Sequence, residues 1–129
     1  GGGAGGAYGE RWGKGSLVGE GGSEGTEDAV RAALEWLRRH QSEDGSWKAH
    51  GYLDRCKKTC QNTDPARYGD GRGYKEHDVG VTGLAMLAFA GYGHTHRDGI
   101  YEEYVECLKK AVAFMKSVQV KSNDYVFTK

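Results

Sequence analysis

Two stretches decide how this chain is read: Ala33-Leu-Glu-Trp36-Leu37-Arg-Arg-His-Gln41-Ser-Glu-Asp-Gly45-Ser-Trp47 and Ala111-Val-Ala-Phe114-Met115-Lys-Ser-Val-Gln119-Val-Lys-Ser-Asn123-Asp-Tyr125. They align without a gap. Ala33 meets Ala111, Trp36 meets Phe114, Leu37 meets Met115, Gln41 meets Gln119 and Trp47 meets Tyr125. Gly45 faces Asn123, the next most tolerant residue of a left-handed backbone. An internal repeat of this kind has a physical logic. An aromatic and an aliphatic residue pack the last turn of a helix, the glutamine bonds main chain in the turn that follows, and the next aromatic covers the helix end.

Three helices follow from the spacing of apolar residues on either side of these stretches. Thr26 is placed to cap a first helix over about Glu27 to His40, with Glu27 and Asp28 at the positive end of its dipole and Val30, Ala33, Leu34 and Leu37 on one face. Val79 to Ala90 is apolar almost all round, which predicts a helix packed on most sides. Its Gly80 and Gly83 would allow close approach, and Gly91 and Gly93 would end it. Tyr101, Tyr104, Val105, Leu108, Ala111, Val112 and Met115 define an amphipathic third helix, with Glu102, Glu103, Glu106, Lys109, Lys110 and Lys116 mostly on its solvated side. Between the first two helices lies a loop from Gln41 to His77, longer than a simple connection in a compact domain, where a local function is expected.

The pattern Ala33, Trp36, Leu37, Gln41, Gly45, Trp47, with a second copy that keeps Phe114 and Gln119 but loses the glycine and tryptophan, resembles the Gln-Trp repeat of the terpenoid cyclase and protein prenyltransferase superfamily. The resemblance covers about residues 26–125. It implies an all-α fold, a partial α/α toroid of outer, inner and outer helices, with Val79–Ala90 as the inner helix. Gly-Gly-Ser-Glu-Gly-Thr-Glu at Gly21–Glu27 and Gly-His-Thr-His at Gly93–His96 look most like squalene cyclase-like proteins of unassigned role. The chemistry of the superfamily is not legible. There is no Asp-x-Asp-Asp acid, since Asp64, Asp70 and Asp78 stand alone, no evident zinc triad of Asp, Cys and His, and no Gly-Cys-Gly-Glu-Gln thioester motif. The chain holds about one and a half helix pairs, against the five to seven a complete toroid of these families needs, so it is either a piece of a longer protein or closed by other copies.

Composition narrows the function classes further. Of 22 glycines in 129 residues, 12 fall within residues 1–25, where Tyr8, Trp12, Leu17 and Val18 are the large apolar groups. Such a stretch cannot bury enough surface to offset its chain entropy. Residues 1–25 are therefore expected to form a Gly-rich arm, leaning on its own domain or on a neighbour through Tyr8 and Trp12, and residues 26–129 the helical domain. With 18 basic against 18 acidic residues the chain lacks the electrostatic footprint of a nucleic-acid or anionic-membrane binder. No apolar run approaches the ~18 residues of a membrane span, and the N-terminal residues lack the basic and apolar regions of a signal peptide.

Cysteines and histidines supply the other site. Cys56-Lys-Lys-Thr-Cys60 lies in the long loop near His50 and His77, and His94 and His96 follow the inner helix. Cys56, Cys60, His94 and His96 could together hold zinc. Alternatively, Cys56 and Cys60 close a disulfide, which would favour a secreted or cell-envelope location, or remain free thiols. Cys107 reads as a buried, inert thiol. His94 and His96 could instead bond the last carbonyls of the inner helix. Glu76-His77-Asp78 reads as an acid-base cluster or as a charged helix start capped by Asp78. Tyr52, Tyr68 and Tyr74, interleaved with Arg55, Arg67, Arg72 and Lys75, offer a polar binding surface or a solvated loop.

These readings lead to two expectations of function. One is a noncatalytic interaction module, without cofactor, whose partner is itself or the rest of a larger assembly. The other is the N-terminal part of a squalene cyclase-like or prenyltransferase-like enzyme, with catalytic residues outside this chain.

Overall fold

A computed structural model describes residues 22–55 and 71–119. The regular elements are three α-helices, α1 (Glu24–His40), α2 (Asp78–Gly91) and α3 (Glu102–Val118), with 3-10 turns at Tyr52–Arg55 and Lys75–His77. No strand occurs among the described residues, and the fold is all-α. Tyr8, Trp12, Cys56, Cys60, Arg67, Tyr68 and Tyr125 lie outside these residues.

α1 begins one turn before the expected position. Ser23, in extended backbone, caps it by accepting a hydrogen bond from Thr26 N at 3.2 Å, while Glu27 N bonds the Ser23 carbonyl at 3.0 Å. Thr26 is therefore inside the helix, as are Glu24 and Gly25, which composition assigns to the arm. A serine at this place satisfies an amide that the helix itself cannot, worth about 1 kcal/mol. Glu24 and Glu27 in the first turn, and Arg38, Arg39 and His40 in the last, match the helix dipole.

Leu34 from α1, Trp47 from the following turn, Ala85 and Phe89 from α2, Tyr92 at the end of α2, and Tyr104, Cys107, Leu108 and Ala111 from α3 form one core. Phe89 is fully buried at its centre, with its ring 6.1 Å from Trp47 and 5.2 Å from Tyr104. Truncating a side chain so placed costs about 3–5 kcal/mol.

α2 departs from its expected packing. Asp78, Thr82, Ala85 and Phe89 are its buried residues, all on one side, whereas Leu84 and Leu87 are 69% and 66% exposed. Two helices and one turn cover one face of a helix and leave its apolar back open. Gly80 and Gly83 lie away from close contacts. A Cβ added at Gly80 meets nothing within 4 Å, and one at Gly83 meets only Met115 Cε at 4.0 Å. Asp78 is not the cap either, since it occupies the first turn of the helix, and the N-cap position belongs to His77, which makes no side-chain capping bond.

Candidate functional site

The repeat turn is built from hydrogen bonds that reach across the fold. The chain leaves α1 at Gln41, whose backbone is extended. Its side-chain amide donates to the carbonyls of Gly45 at 3.0 Å and of Cys107, in the middle of α3, at 2.8 Å. Gly45 has φ +92°, and a Cβ there would collide with the Lys110 carbonyl, so this turn lies directly on α3 main chain. Trp47 donates its indole N–H to the Leu37 carbonyl at 2.8 Å, closing the end of α1, and its backbone N–H to Thr82 Oγ1 at 2.9 Å. Asp78 accepts from Ala49 N at 2.8 Å and pairs with Lys48 at 3.5 Å. It ties the loop to the start of α2, a role the sequence did not disclose. The loop's two described ends also meet, with Gly51 N bonded to the Gly71 carbonyl at 2.8 Å.

The histidines after α2 do not form an open site. His94 is buried, its Nδ1–H donates to the Tyr92 carbonyl at 3.0 Å, and its Nε2 accepts from Tyr101 N at 3.1 Å. Both ring nitrogens are thus used, and burial holds the imidazole below its usual range, in the neutral form. The ring lies nearly parallel to those of Tyr92 and Tyr101, its centroid 5.7 Å from each while theirs are 6.3 Å apart, with Tyr104 edge-on at 5.3 Å. Arg31 of α1 lays its guanidinium 3.7 Å from the Tyr101 ring centre, an interaction worth about 0.5–2 kcal/mol. Tyr92 donates its hydroxyl to Glu27 at 3.3 Å, and burial pushes that phenol up to about 12. His94 is therefore a structural joint between α1, α2 and α3. His96 sits half-buried on the rim of an apolar groove. Among the described residues no three His, Cys, Asp or Glu side chains are grouped to hold a metal ion. The cysteine pair of the zinc and disulfide readings falls outside them.

What α2 leaves uncovered is apolar. A groove of about 610 Å³ runs between α2 and α3, bordered by Gly80, Gly83, Leu87, Leu108, Val112 and Met115. A second, of about 320 Å³, runs between α1 and α2 beneath Trp36, Leu37, Val81 and Ala88. Leu84 borders both and stands as the ridge between them. A third depression, of about 580 Å³, is lined by Arg38, Arg39, Arg55 and Lys110 together with Glu43, Glu103 and Glu106, so it presents no single sign of charge. Glu76 and His77 lie in a 3-10 turn with no buried residue, His77 against the Tyr74 ring at 5.7 Å.

Comparison with protein-family models, with curated proteins and with solved structures finds no match to this chain. The apolar run Val79 to Ala90 predicts packing on most sides because periodicity cannot distinguish a helix surrounded by partners from one with a partner on one side only. The surplus of apolar residues around the whole helix was the available signal that two neighbours would not cover it.

Proposed function

We propose that the domain is a noncatalytic interaction module. It is a partial α/α toroid built on a terpenoid cyclase-like helical repeat, and it self-associates or docks into a larger assembly through its open helix faces and Gly-rich arm. The observation that carries this reading is the back of α2, where Leu84 and Leu87 stand about two-thirds exposed between two apolar grooves. Contiguous apolar surface of this kind marks a contact face, and covering the two leucines would gain about 2–4 kcal/mol. No helix among the described residues is long and apolar enough to cross a membrane. Light scattering of the chain across a range of concentrations tests the proposal. Association that weakens at least tenfold in Leu84→Glu/Leu87→Glu, with helical circular dichroism retained, supports it, and a wild-type chain that stays monomeric and binds no partner refutes it.

The groove between α2 and α3 favours one other reading, a segment of the hydrocarbon-lined wall of a larger cyclase-like or prenyltransferase-like enzyme. Saturable binding of a prenyl diphosphate by the monomeric chain would replace the interaction module with this alternative.

A further inference from the structure

α2 turns Asp78, Thr82, Ala85 and Phe89 towards the core. On the opposite side of the same helix, Gly80, Gly83, Leu84 and Leu87 follow the i, i+3, i+4, i+7 spacing that gathers four residues into one patch. The patch holds two knobs and two gaps, since both leucines are about two-thirds exposed and both glycines lack a side chain. No described neighbour accounts for these glycines. Neither has a positive φ, and an added Cβ would meet nothing within 4 Å at Gly80 and only Met115 Cε, at 4.0 Å, at Gly83. Glycine in mid-helix weakens the helix. What it permits here is the close approach of an outside neighbour to the α2 main chain. The surface that neighbour meets is uncharged. Val79 to Gly91 contains no charged residue, and among the described residues the groove between α2 and α3 is lined by no Asp, Glu, Lys or Arg. A charged partner would lose its water there without gaining a counter-charge.

We infer that the occupant of this face is α2 of a second copy, packed antiparallel about a two-fold axis that passes between Gly83 and Leu84. The inference deepens the self-association reading and rests on it. With the axis there, Leu87 of one copy faces the partner's Gly80 and Leu84 faces the partner's Gly83. Every knob meets a gap, and the two helices approach closely. A parallel pair in register would instead set leucine against leucine and glycine against glycine. The area suits a weak, reversible dimer. α2 has 14 residues, which makes it about 21 Å long, and a groove on each side at interaxial distances of about 8–10 Å makes its back about 16–20 Å wide. Each copy covers on the order of 400 Å², about 800 Å² for the pair, which is below the about 1,200–2,000 Å² of stable complexes and in the range of transient ones. The same face is used by both copies, so the interface closes on itself and association stops at two.

Sedimentation equilibrium on the full chain tests this inference. The wild type should form dimers through this face and nothing larger. Gly80→Leu, for which the monomer has room and which helix propensity favours, should raise the urea midpoint of the dilute chain yet weaken association about tenfold, because it sets a leucine against the partner's Leu87. Leu87→Ala should weaken association to a similar degree by leaving a gap. An equimolar mixture of the two variants should dimerise as well as the wild type, since the introduced leucine then faces the introduced alanine and the second Gly80 contact is unaltered. Association strengthened by Gly80→Leu, or no recovery in the mixture, would overturn the inference, and loss of association in Leu84→Glu/Leu87→Glu would then leave the interaction module standing. A wild type that stays monomeric at every concentration would also overturn the inference, and one that in addition binds no partner would overturn the interaction module with it.

Discussion

Gln41 donates its side-chain amide to the main-chain carbonyl of Cys107 at 2.8 Å, bridging the first repeat turn to a helix 66 positions further along the chain. The same amide holds the Gly45 carbonyl. One side chain therefore sets both the shape of the turn and its seat on α3.

Replacing Gln41 with alanine removes the side-chain donor of the Gly45 carbonyl and the bond to the Cys107 carbonyl that supplements its helical one, and should destabilise the domain by about 2 kcal/mol. Gln41→Glu should be worse, because a carboxylate would face those carbonyls instead of a donor. Urea unfolding followed by circular dichroism checks both. Midpoints equal to wild type would show that the bridge contributes nothing.

Two glycine substitutions should have opposite signs. Gly45→Ala forces a Cβ against the Lys110 carbonyl at φ +92° and should cost about 2 kcal/mol or more. Gly83→Ala adds a methyl group in mid-helix with only Met115 Cε at 4.0 Å and should stabilise by about 0.5–1 kcal/mol. The two melting temperatures should move in opposite directions.

Acidification should destabilise the fold through two imidazoles. Burial holds His40 and His94 below the ordinary value of about 6.5, so the unfolded chain takes up these protons first. Their contribution is complete above about pH 7 and is lost as pH falls through the unfolded value, at up to about 1.4 kcal/mol per pH unit for each ring. Glu35, held down by its hydrogen bond with Arg38, acts only lower, in the carboxylate range. Denaturant midpoints measured from about pH 7.5 to about pH 5.5 should decline, and less steeply in His40→Gln. A flat profile would contradict the buried neutral state of both rings.

Cys107 should resist thiol reagents. It is 3% exposed, and burial pushes its thiol up to about 12, so almost no thiolate exists at pH 8. Mass spectrometry after alkylation should find the Cys107 peptide unmodified in the folded chain and modified in urea. Rapid labelling without denaturant would place Cys107 outside the core.

Much of the architecture was legible in the chain. The apolar spacing of α1 and α3 located both within a few residues, because a stripe every three or four positions survives in any helix with one buried face. The start of α1 lies at Ser23, whose hydroxyl accepts from Thr26 N, so Thr26, an equally good capping residue in sequence, lies one turn too far along. The His94 joint was half legible: a bond to the carbonyls at the end of the inner helix was one of its two readings and Tyr92 supplies that carbonyl, but the bond from Tyr101 N depends on the path of the following loop. Asp78 was equally ambiguous. An acid before an apolar run suits a cap, but here its carboxylate holds Ala49 N and Lys48 instead.

The sequence by itself determined the all-helical character and the repeat, because both depend on periodicities within single segments. Only the tertiary structure decided which of the two repeat helices is covered. Ala33 and Ala111 are identical residues at matching positions, yet Ala111 is fully buried beneath the Gly45 turn and Ala33 is exposed. Burial belongs to the neighbour as much as to the residue. Among the described residues one repeat turn is seated, and it covers α3.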